Sequence, residues 1–214
     1  MKRNETIYFL PNRLDEKDMI GFPAPAGIVS KRMLTRTVRI FNENGFKNLL
    51  LPDISKTFTY FSGPDALRIK DFNSMASDKK VKALFTIRGG YGCGRIIDKL
   101  SVSEIIRYRK IFCGYSDASM IHTKIFNLGG LITFYGPMPG IDFNVNNHAL
   151  IRDLLDFFKR LGQVDLKYSV KNNSKIRDNI INGISFASCL TLLQNTLGTP
   201  EQPDLKGCVL FLED

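Results

Sequence analysis

The fold is decided by two neighbouring segments, VKALFTIRGGYGCG at residues 81–94 and KIFCGYSDAS at residues 110–119. Each begins as a continuous apolar run, which is typical of a strand buried on both faces of a parallel sheet. Each run ends at glycine and is followed by a segment with helical periodicity. The carboxyl ends of parallel strands meet at one edge of the sheet, so the loops after both strands are predicted to lie close together.

The same alternation of strand and helix continues on both sides of these segments. Strands are predicted in DMIGFPAPAG (residues 18–27), FKNLLLP (46–52) and LITFYG (131–136), and helices between Ser30 and Asn44, from Pro64 to Ser77 and from Asp117 to about Asn127. Repeated βα units favour right-handed crossovers and a parallel sheet with helices on both faces. We therefore predict an α/β fold: a three-layer, flavodoxin-like N-terminal domain.

The end of the chain differs in character from the rest. An amphipathic helix in NNHALIRDLLDFFKRLG (146–162) closes the α/β domain, which we assign to residues 1–165, and a polar stretch at 166–178 reads as a linker. In 179–214, GISFASCLTLLQNTLGTP predicts a short helix ending at Gly198, and GCVLFLED predicts a strand. We interpret these last residues as the start of an incomplete, mainly β C-terminal domain, with the chain truncated relative to a full-length protein.

Composition excludes several classes of protein. The 214 residues are 43% hydrophobic and 24% charged, which is typical of a globular protein. Four scattered cysteines and two histidines show no metal-ligand spacing, so neither a metal site nor a cofactor is expected. No membrane helix or export signal is visible, and cytoplasmic localisation with reduced thiols is expected. The net charge of +9 is dispersed, which argues against nucleic-acid binding and permits a small anionic ligand.

Ser116 occupies the turn between the second buried strand and the helix after it, in the sequence Gly114-Tyr115-Ser116-Asp117. This is the context of a nucleophile elbow, in which a sharp turn exposes the serine hydroxyl and the amide of the next residue can donate to an oxyanion. The alternative is an ordinary turn with Asp117 as a helix cap. The motif does not decide between them, because Ala118 stands where G-x-S-x-G has its second glycine.

The glycine-rich loop Arg88–Gly94 is predicted to reach the same edge of the sheet. Consecutive glycines at 89 and 90 would let the backbone approach a substrate, and the amide of Gly90 or Tyr91 would add a second oxyanion donor. Two alternatives remain, a tight turn and a phosphate-binding loop in a flavodoxin-like domain. The loop lacks the Lys-Ser/Thr of a Walker motif and the spacing of a dinucleotide fingerprint.

Taken in order, several segments resemble the LD-carboxypeptidase family of serine peptidases, which includes muramoyl-tetrapeptide carboxypeptidases and microcin-immunity peptidases. The resemblance extends over nearly the whole chain. It rests on FPAPAG, GPDALRIKDFNSM, VKALFTIRGGYGCGRIID, FCGYSDASMIH, TFYGPM and LGTPEQPDLKGCVLFLED. One departure is GISFAS, where the family often has a G-G-N-like turn, and here Ile184 and Ser185 replace Gly and Asn.

The resemblance implies a Ser-Glu-His mechanism that hydrolyses the amide bond before a terminal D-amino acid. It implies that Ser116 is the nucleophile, that Gly90 and Asp117 form the oxyanion hole, and that Glu213 orients the histidine. For binding of the peptide substrate we predict contacts with Gly89 and Tyr91, and with Arg88 through the anionic peptide carboxylate. Family members are commonly dimers, so the resemblance also implies a homodimer.

The histidine of the mechanism has no counterpart in this sequence, since in the family it follows the LFLED strand. His122 lies six residues after Ser116 on the same predicted helix, about 9 Å along the axis and about 240° around it, which is poor geometry for a base. His148 has no motif neighbours. Two functions are therefore expected: a carboxypeptidase that releases D-alanine from murein tetrapeptides or related peptides, or a truncated, inactive homologue that binds muropeptides or a partner chain.

Overall fold

The computed structural model describes residues 7–144, 147–162 and 182–214. Within them, five parallel strands form one sheet in the order β2-β1-β3-β4-β5. Their bounds are β1 Met19–Gly21, β2 Asn48–Leu50, β3 Val81–Phe85, β4 Ile111–Gly114 and β5 Phe134–Tyr135. This is the flavodoxin order, with the chain reversing direction across the sheet between β1 and β3. The predicted α/β fold is confirmed.

Helices cover both faces of this sheet. Their bounds are α1 Lys31–Glu43, α2 Asp65–Ser77, α3 Cys93–Ile96, α4 Val102–Arg107, α5 Ser119–Leu128 and α6 His148–Arg160. The first helix begins as the sequence predicts, because the Ser30 hydroxyl accepts a hydrogen bond of 3.2 Å from the backbone N–H of Met33. A residue with positive φ, Gly45, follows its end.

Alternate residues of the central strands pack into two separate hydrophobic cores, one on each face of the sheet. Phe85 and Ile111 point to one face, where they pack with Phe41 of α1 and Phe158 of α6. The other face carries the side chains of α2 to α5, and Leu84 and Phe112 belong to that cluster. Burial of both strand faces explains why the sequence of β3 and β4 shows no alternation between apolar and polar residues.

The described C-terminal residues form a second, smaller sheet. Strands β6 (Ile184–Cys189) and β7 (Cys208–Glu213) pair in parallel, and α7 (Leu190–Thr196) connects them. The short helix predicted within 183–198 is confirmed as α7, but the residues before it form β6, where Phe186 and Ser188 are buried with a period of two. The predicted strand in GCVLFLED is confirmed, whereas the linker predicted at 166–178 lies outside the described residues.

Candidate active site

The elbow at Ser116 is built by the end of β4 and the start of α5. Ser116 has a φ of +57°, and a short 3-10 turn from Ser116 to Ala118 leads into the helix. A side chain at Gly114 would collide with the hydroxyl of Thr86, so only glycine fits at that position. A non-glycine residue at positive φ is uncommon, and such residues concentrate at active sites. The geometry matches the strand-to-helix turn that presents a serine hydroxyl.

The glycine-rich loop contacts this elbow directly. Gly89 is buried, and a Cβ added to it would lie 2.9 Å from both Cβ and Oγ of Ser116. Gly90 has a φ of +125°, and an added Cβ there would lie 3.1 Å from the Gly27 backbone. Within the three described ranges, the backbone N–H groups of Gly90 and Asp117 donate no hydrogen bond. Both predicted oxyanion donors are therefore free.

The side chain of Asp117 joins the elbow to the same loop. Its Oδ2 accepts a hydrogen bond of 2.8 Å from the backbone N–H of Cys93, which begins α3. The carboxylate is 3% exposed, and burial raises its pKa above the ordinary value. Since this carboxylate is engaged by α3, only the backbone amide of Asp117 remains to face a substrate.

The two other predicted substrate contacts lie on either side of the glycine pair. The Arg88 guanidinium donates hydrogen bonds of 3.1 Å to the carbonyls of Gly89 and Ile28, so it connects the glycine loop to the residue that follows FPAPAG. Tyr91 is 55% exposed, and its ring centroid lies 6.2 Å from those of Tyr60 and Phe61. Tyr91 therefore offers an aromatic surface beside the elbow. For both residues, contact with substrate stays a prediction.

Glu213 ends β7 and approaches the elbow through a tyrosine. Its Oε1 accepts a hydrogen bond of 2.5 Å from the hydroxyl of Tyr135, and that hydroxyl accepts one of 3.1 Å from the backbone N–H of Ser116. The structure thus brings together five predicted site residues, Ser116, Gly89, Gly90, Asp117 and Glu213. Tyr135 lies between Ser116 and Glu213. Sequence reasoning did not select Tyr135, although it lies in the TFYGPM segment.

His122 is turned away from Ser116 into the protein. It is 5% exposed, its Nε2 bonds the Gly114 carbonyl at 2.9 Å, and its Nδ1 bonds the Thr133 hydroxyl at 2.8 Å. Burial lowers its pKa to about 4, which keeps the ring neutral. A neutral ring can donate from Nε2 and accept at Nδ1, which satisfies both contacts. His122 is a structural histidine, as its spacing from Ser116 indicated.

Protonation of His122 is expected to weaken the fold in acid. The folded-state pKa of about 4 lies below the ordinary value of 6.5, so only the unfolded chain takes up the proton between these values. The stability that the neutral His122 ring contributes is complete above pH 6.5 and is lost as the pH falls towards 4. The full loss in the free energy of unfolding is about 3 kcal/mol. This loss is measured by urea unfolding of the parent and of His122→Gln at pH 7 and at pH 5.

In His122→Gln, the drop in stability between these two pH values should be smaller than in the parent. An equal drop in both proteins would assign it to carboxylates instead. The sequence has two histidines, so the imidazole signal that disappears from the proton NMR spectrum of the variant identifies His122. In the parent, that signal should still titrate near pH 4.

No cluster of three metal-ligating side chains occurs in the described residues. None of the helices described is long and apolar enough to cross a membrane. The described residues form no disulfide, and burial raises the pKa of the Cys93 and Cys113 thiols, so neither of these two is a thiolate near neutral pH. Among the side chains placed by the structure, Ser116 is the nucleophile candidate at this edge of the sheet.

Comparison with known proteins gives consistent matches. Residues 20–136 match the model of the LD-carboxypeptidase N-terminal domain. A probable murein peptide carboxypeptidase of Bacillus subtilis is 32% identical over 218 residues, covering 100% of this chain and 67% of that protein. The microcin C7 self-immunity protein MccF of Escherichia coli is 33% identical over 123 residues, covering 56% of this chain and 36% of that protein.

Solved structures agree with these matches. A muramoyltetrapeptide carboxypeptidase from Oxalobacter formigenes superposes with a TM-score of 0.81 at 27% identity, covering 92% of this chain and 65% of that one. MccF in complex with glutamyl sulfamoyl guanosine superposes with a TM-score of 0.76 at 26% identity, covering 96% and 70%. The similarity therefore includes the elbow, the glycine loop and the second sheet.

Proposed function

Since the chain belongs to the LD-carboxypeptidase family, we propose that its site is that of a serine hydrolase which removes the terminal D-alanine from murein tetrapeptides or related peptides. The observation that carries this proposal is the elbow itself. Ser116 at positive φ lies against the side-chain-free backbone of Gly89, and the amides of Gly90 and Asp117 are free beside it.

Each of these groups has a role in the proposed reaction. The hydroxyl of Ser116 attacks the carbonyl carbon of the amide bond before the D-amino acid, and the oxygen of that carbonyl becomes an oxyanion. Two free backbone N–H groups can stabilise this charge without reorganising, which is the largest single contribution in many acyl-transfer enzymes. Arg88 and Tyr91 would contact the peptide, and the positively charged Arg88 guanidinium would face the negatively charged peptide carboxylate. When the tetrahedral intermediate collapses, the C–N bond breaks and D-alanine leaves with the proton that Ser116 gave to the base, so the peptide is held as an ester on Ser116. Water then hydrolyses this ester, which frees the shortened peptide and returns a proton to the Ser116 oxygen.

Glu213 would orient the base of this reaction. A carboxylate beside an imidazole fixes its tautomer and stabilises the imidazolium that forms when the serine loses its proton. His122 cannot take the part of that imidazole, because both of its ring nitrogens are bonded inside the protein. In the family the histidine follows the LFLED strand, and we assign no residue of this sequence to that role.

A second candidate function is peptide binding without turnover. It is favoured by the position of His122. Among the side chains that the structure describes, His122 is the one imidazole, and it is buried away from Ser116. A serine hydroxyl is a weak nucleophile at neutral pH unless a base accepts its proton. A site with nucleophile, oxyanion donors and carboxylate but no base would still recognise the peptide.

One experiment separates the two candidates. The chain is incubated with a murein tetrapeptide that ends in D-alanine and with the same peptide ending in L-alanine, and released alanine is measured by mass spectrometry. We expect release from the D-epimer alone. Titration calorimetry with the same peptides measures binding. Binding of the D-epimer without release, with and without added free imidazole as a base, would overturn the hydrolase and leave the binding function.

A further inference from the structure

The hydroxyl of Tyr135 lies at the junction between the nucleophile elbow and the C-terminal sheet. It is 3.1 Å from the backbone nitrogen of Ser116, 2.5 Å from Oε1 of Glu213 and 3.3 Å from Oγ of Ser119. Ser119 in turn accepts a hydrogen bond of 3.0 Å from the backbone N–H of Cys189, where β6 ends. Two hydroxyl groups therefore connect the elbow to the ends of β6 and β7.

The direction of each hydrogen bond follows from the available protons. A carboxylate only accepts, so Tyr135 donates its single proton to Oε1 of Glu213. The same oxygen then accepts from the Ser116 amide. The proton of Ser119 is donated to the Ser116 carbonyl at 2.6 Å. Oε2 of Glu213 has no partner among the described residues, so it is free to accept an imidazole N–H.

Tyr135 is itself held firmly. It ends β5 opposite Gly114 of β4, and the backbone N–H of the next residue, Gly136, donates to the Gly114 carbonyl at 3.2 Å. Its ring lies 5.7 Å from that of His122 and 6.3 Å from that of Tyr115. Burial and the contact with Glu213 raise the pKa of Tyr135, so it remains a proton donor throughout the neutral range.

Glu213 by contrast is an exposed residue at the end of an exposed strand. A free glutamate side chain samples several rotamers, and fixing it costs conformational entropy. Catalytic groups reach their productive geometry when neighbouring residues restrict their rotamers. We propose that Tyr135 is a positioning residue that holds Oε1 of Glu213 at the elbow and leaves Oε2 for the base, an inference that rests on the proposed function.

A double-mutant cycle tests the contact without any need for turnover. Urea unfolding is measured for the parent chain, Tyr135→Phe, Glu213→Gln and the double variant. If Tyr135 holds Glu213, the effect of the double substitution on the unfolding constant should differ about fivefold from the product of the effects of the two single substitutions. This is the usual size of a hydrogen bond to a charged but exposed group. Coupling below about twofold would overturn the proposal.

Tyr115 provides the matched control. It lies beside Tyr135 at the same edge of the sheet, but its hydroxyl is directed to Oδ1 of Asp142 at 3.3 Å. The cycle of Tyr115→Phe with Glu213→Gln should therefore show no coupling. Equal coupling in both cycles would indicate a general effect of removing a tyrosine hydroxyl, and it would also overturn the specific role of Tyr135.

Turnover adds a readout that a purely structural residue would leave unchanged. In D-alanine release, Tyr135→Phe should lower kcat about tenfold and change KM by less than twofold, because Glu213 contacts the base and not the peptide. Unchanged kcat in an active parent would overturn the positioning role. An inactive parent would count against the proposed function alone, since the unfolding cycle would still decide whether Tyr135 holds Glu213.

Discussion

Ser116→Ala is expected to abolish D-alanine release while leaving the fold intact. Among the described residues, Oγ of Ser116 makes no hydrogen bond, so its removal costs little stability. The amide and carbonyl of Ser116, which hold the elbow, remain in alanine. Loss of the nucleophile from a serine triad commonly lowers turnover by at least about a thousandfold. The expected result is a folded variant that binds the tetrapeptide like the parent and releases no D-alanine above background.

Ser119→Ala is the matched control, because it removes a hydroxyl three residues away on the same elbow. Oγ of Ser119 donates to the Ser116 carbonyl and accepts from Cys189, so its loss should cost about 1 kcal/mol of unfolding free energy. It should retain measurable release. Chemical unfolding, calorimetry and alanine release on both variants give the comparison. Residual release by Ser116→Ala equal to that of Ser119→Ala would remove Ser116 from the role of nucleophile.

The fold could be predicted where the signal is local. The start of α1 is encoded by Ser30 and its end by Gly45, and the chemistry of both acts within a few residues. The continuous apolar runs of β3 and β4 reflect burial on both faces, and the glycines after them mark the turns that form the site. Parallel strands then bring these turns together, so the elbow and the glycine loop follow from the βα alternation.

The rest depends on contacts between residues far apart in sequence. Within 183–198 the sequence predicts a short helix and no strand, because ISFASC has little periodicity of its own and its strand conformation is fixed by pairing with β7. Tyr135 and Glu213 are 78 positions apart, so no pattern in either segment indicates their contact. Arg68 is another such residue, since within α2 it looks like a surface cation, yet it is 2% exposed.

Arg68→Met is expected to lower the free energy of unfolding by about 3 kcal/mol, because it leaves the buried carbonyls of Gly63 and Pro25 without donors and the Gly92 carbonyl with the Arg95 amide alone. The guanidinium donates to the Gly63 carbonyl at 3.2 Å and the Gly92 carbonyl at 3.1 Å, and it also donates to the carbonyl of Pro25. These carbonyls belong to three different loops at the site. The variant should therefore unfold at lower urea concentration and lose order in the glycine loop, seen as faster amide exchange.

Arg95→Met is the control that distinguishes the buried hydrogen bonds of Arg68 from the loss of a positive charge beside Asp65. Asp65 pairs with both arginines, at 2.5 Å with Arg68 and at 3.0 Å with Arg95. The Arg95 side chain is 51% exposed, so its loss should cost less than about 1 kcal/mol. Arg68→Lys keeps the charge but cannot reach several carbonyls at fixed angles, and it should recover less than half of the lost stability. Equal losses for Arg68→Met and Arg95→Met would mean that Asp65 pairing is what matters. The larger loss at Arg68 would instead show that the loops around Ser116 are held by one buried side chain.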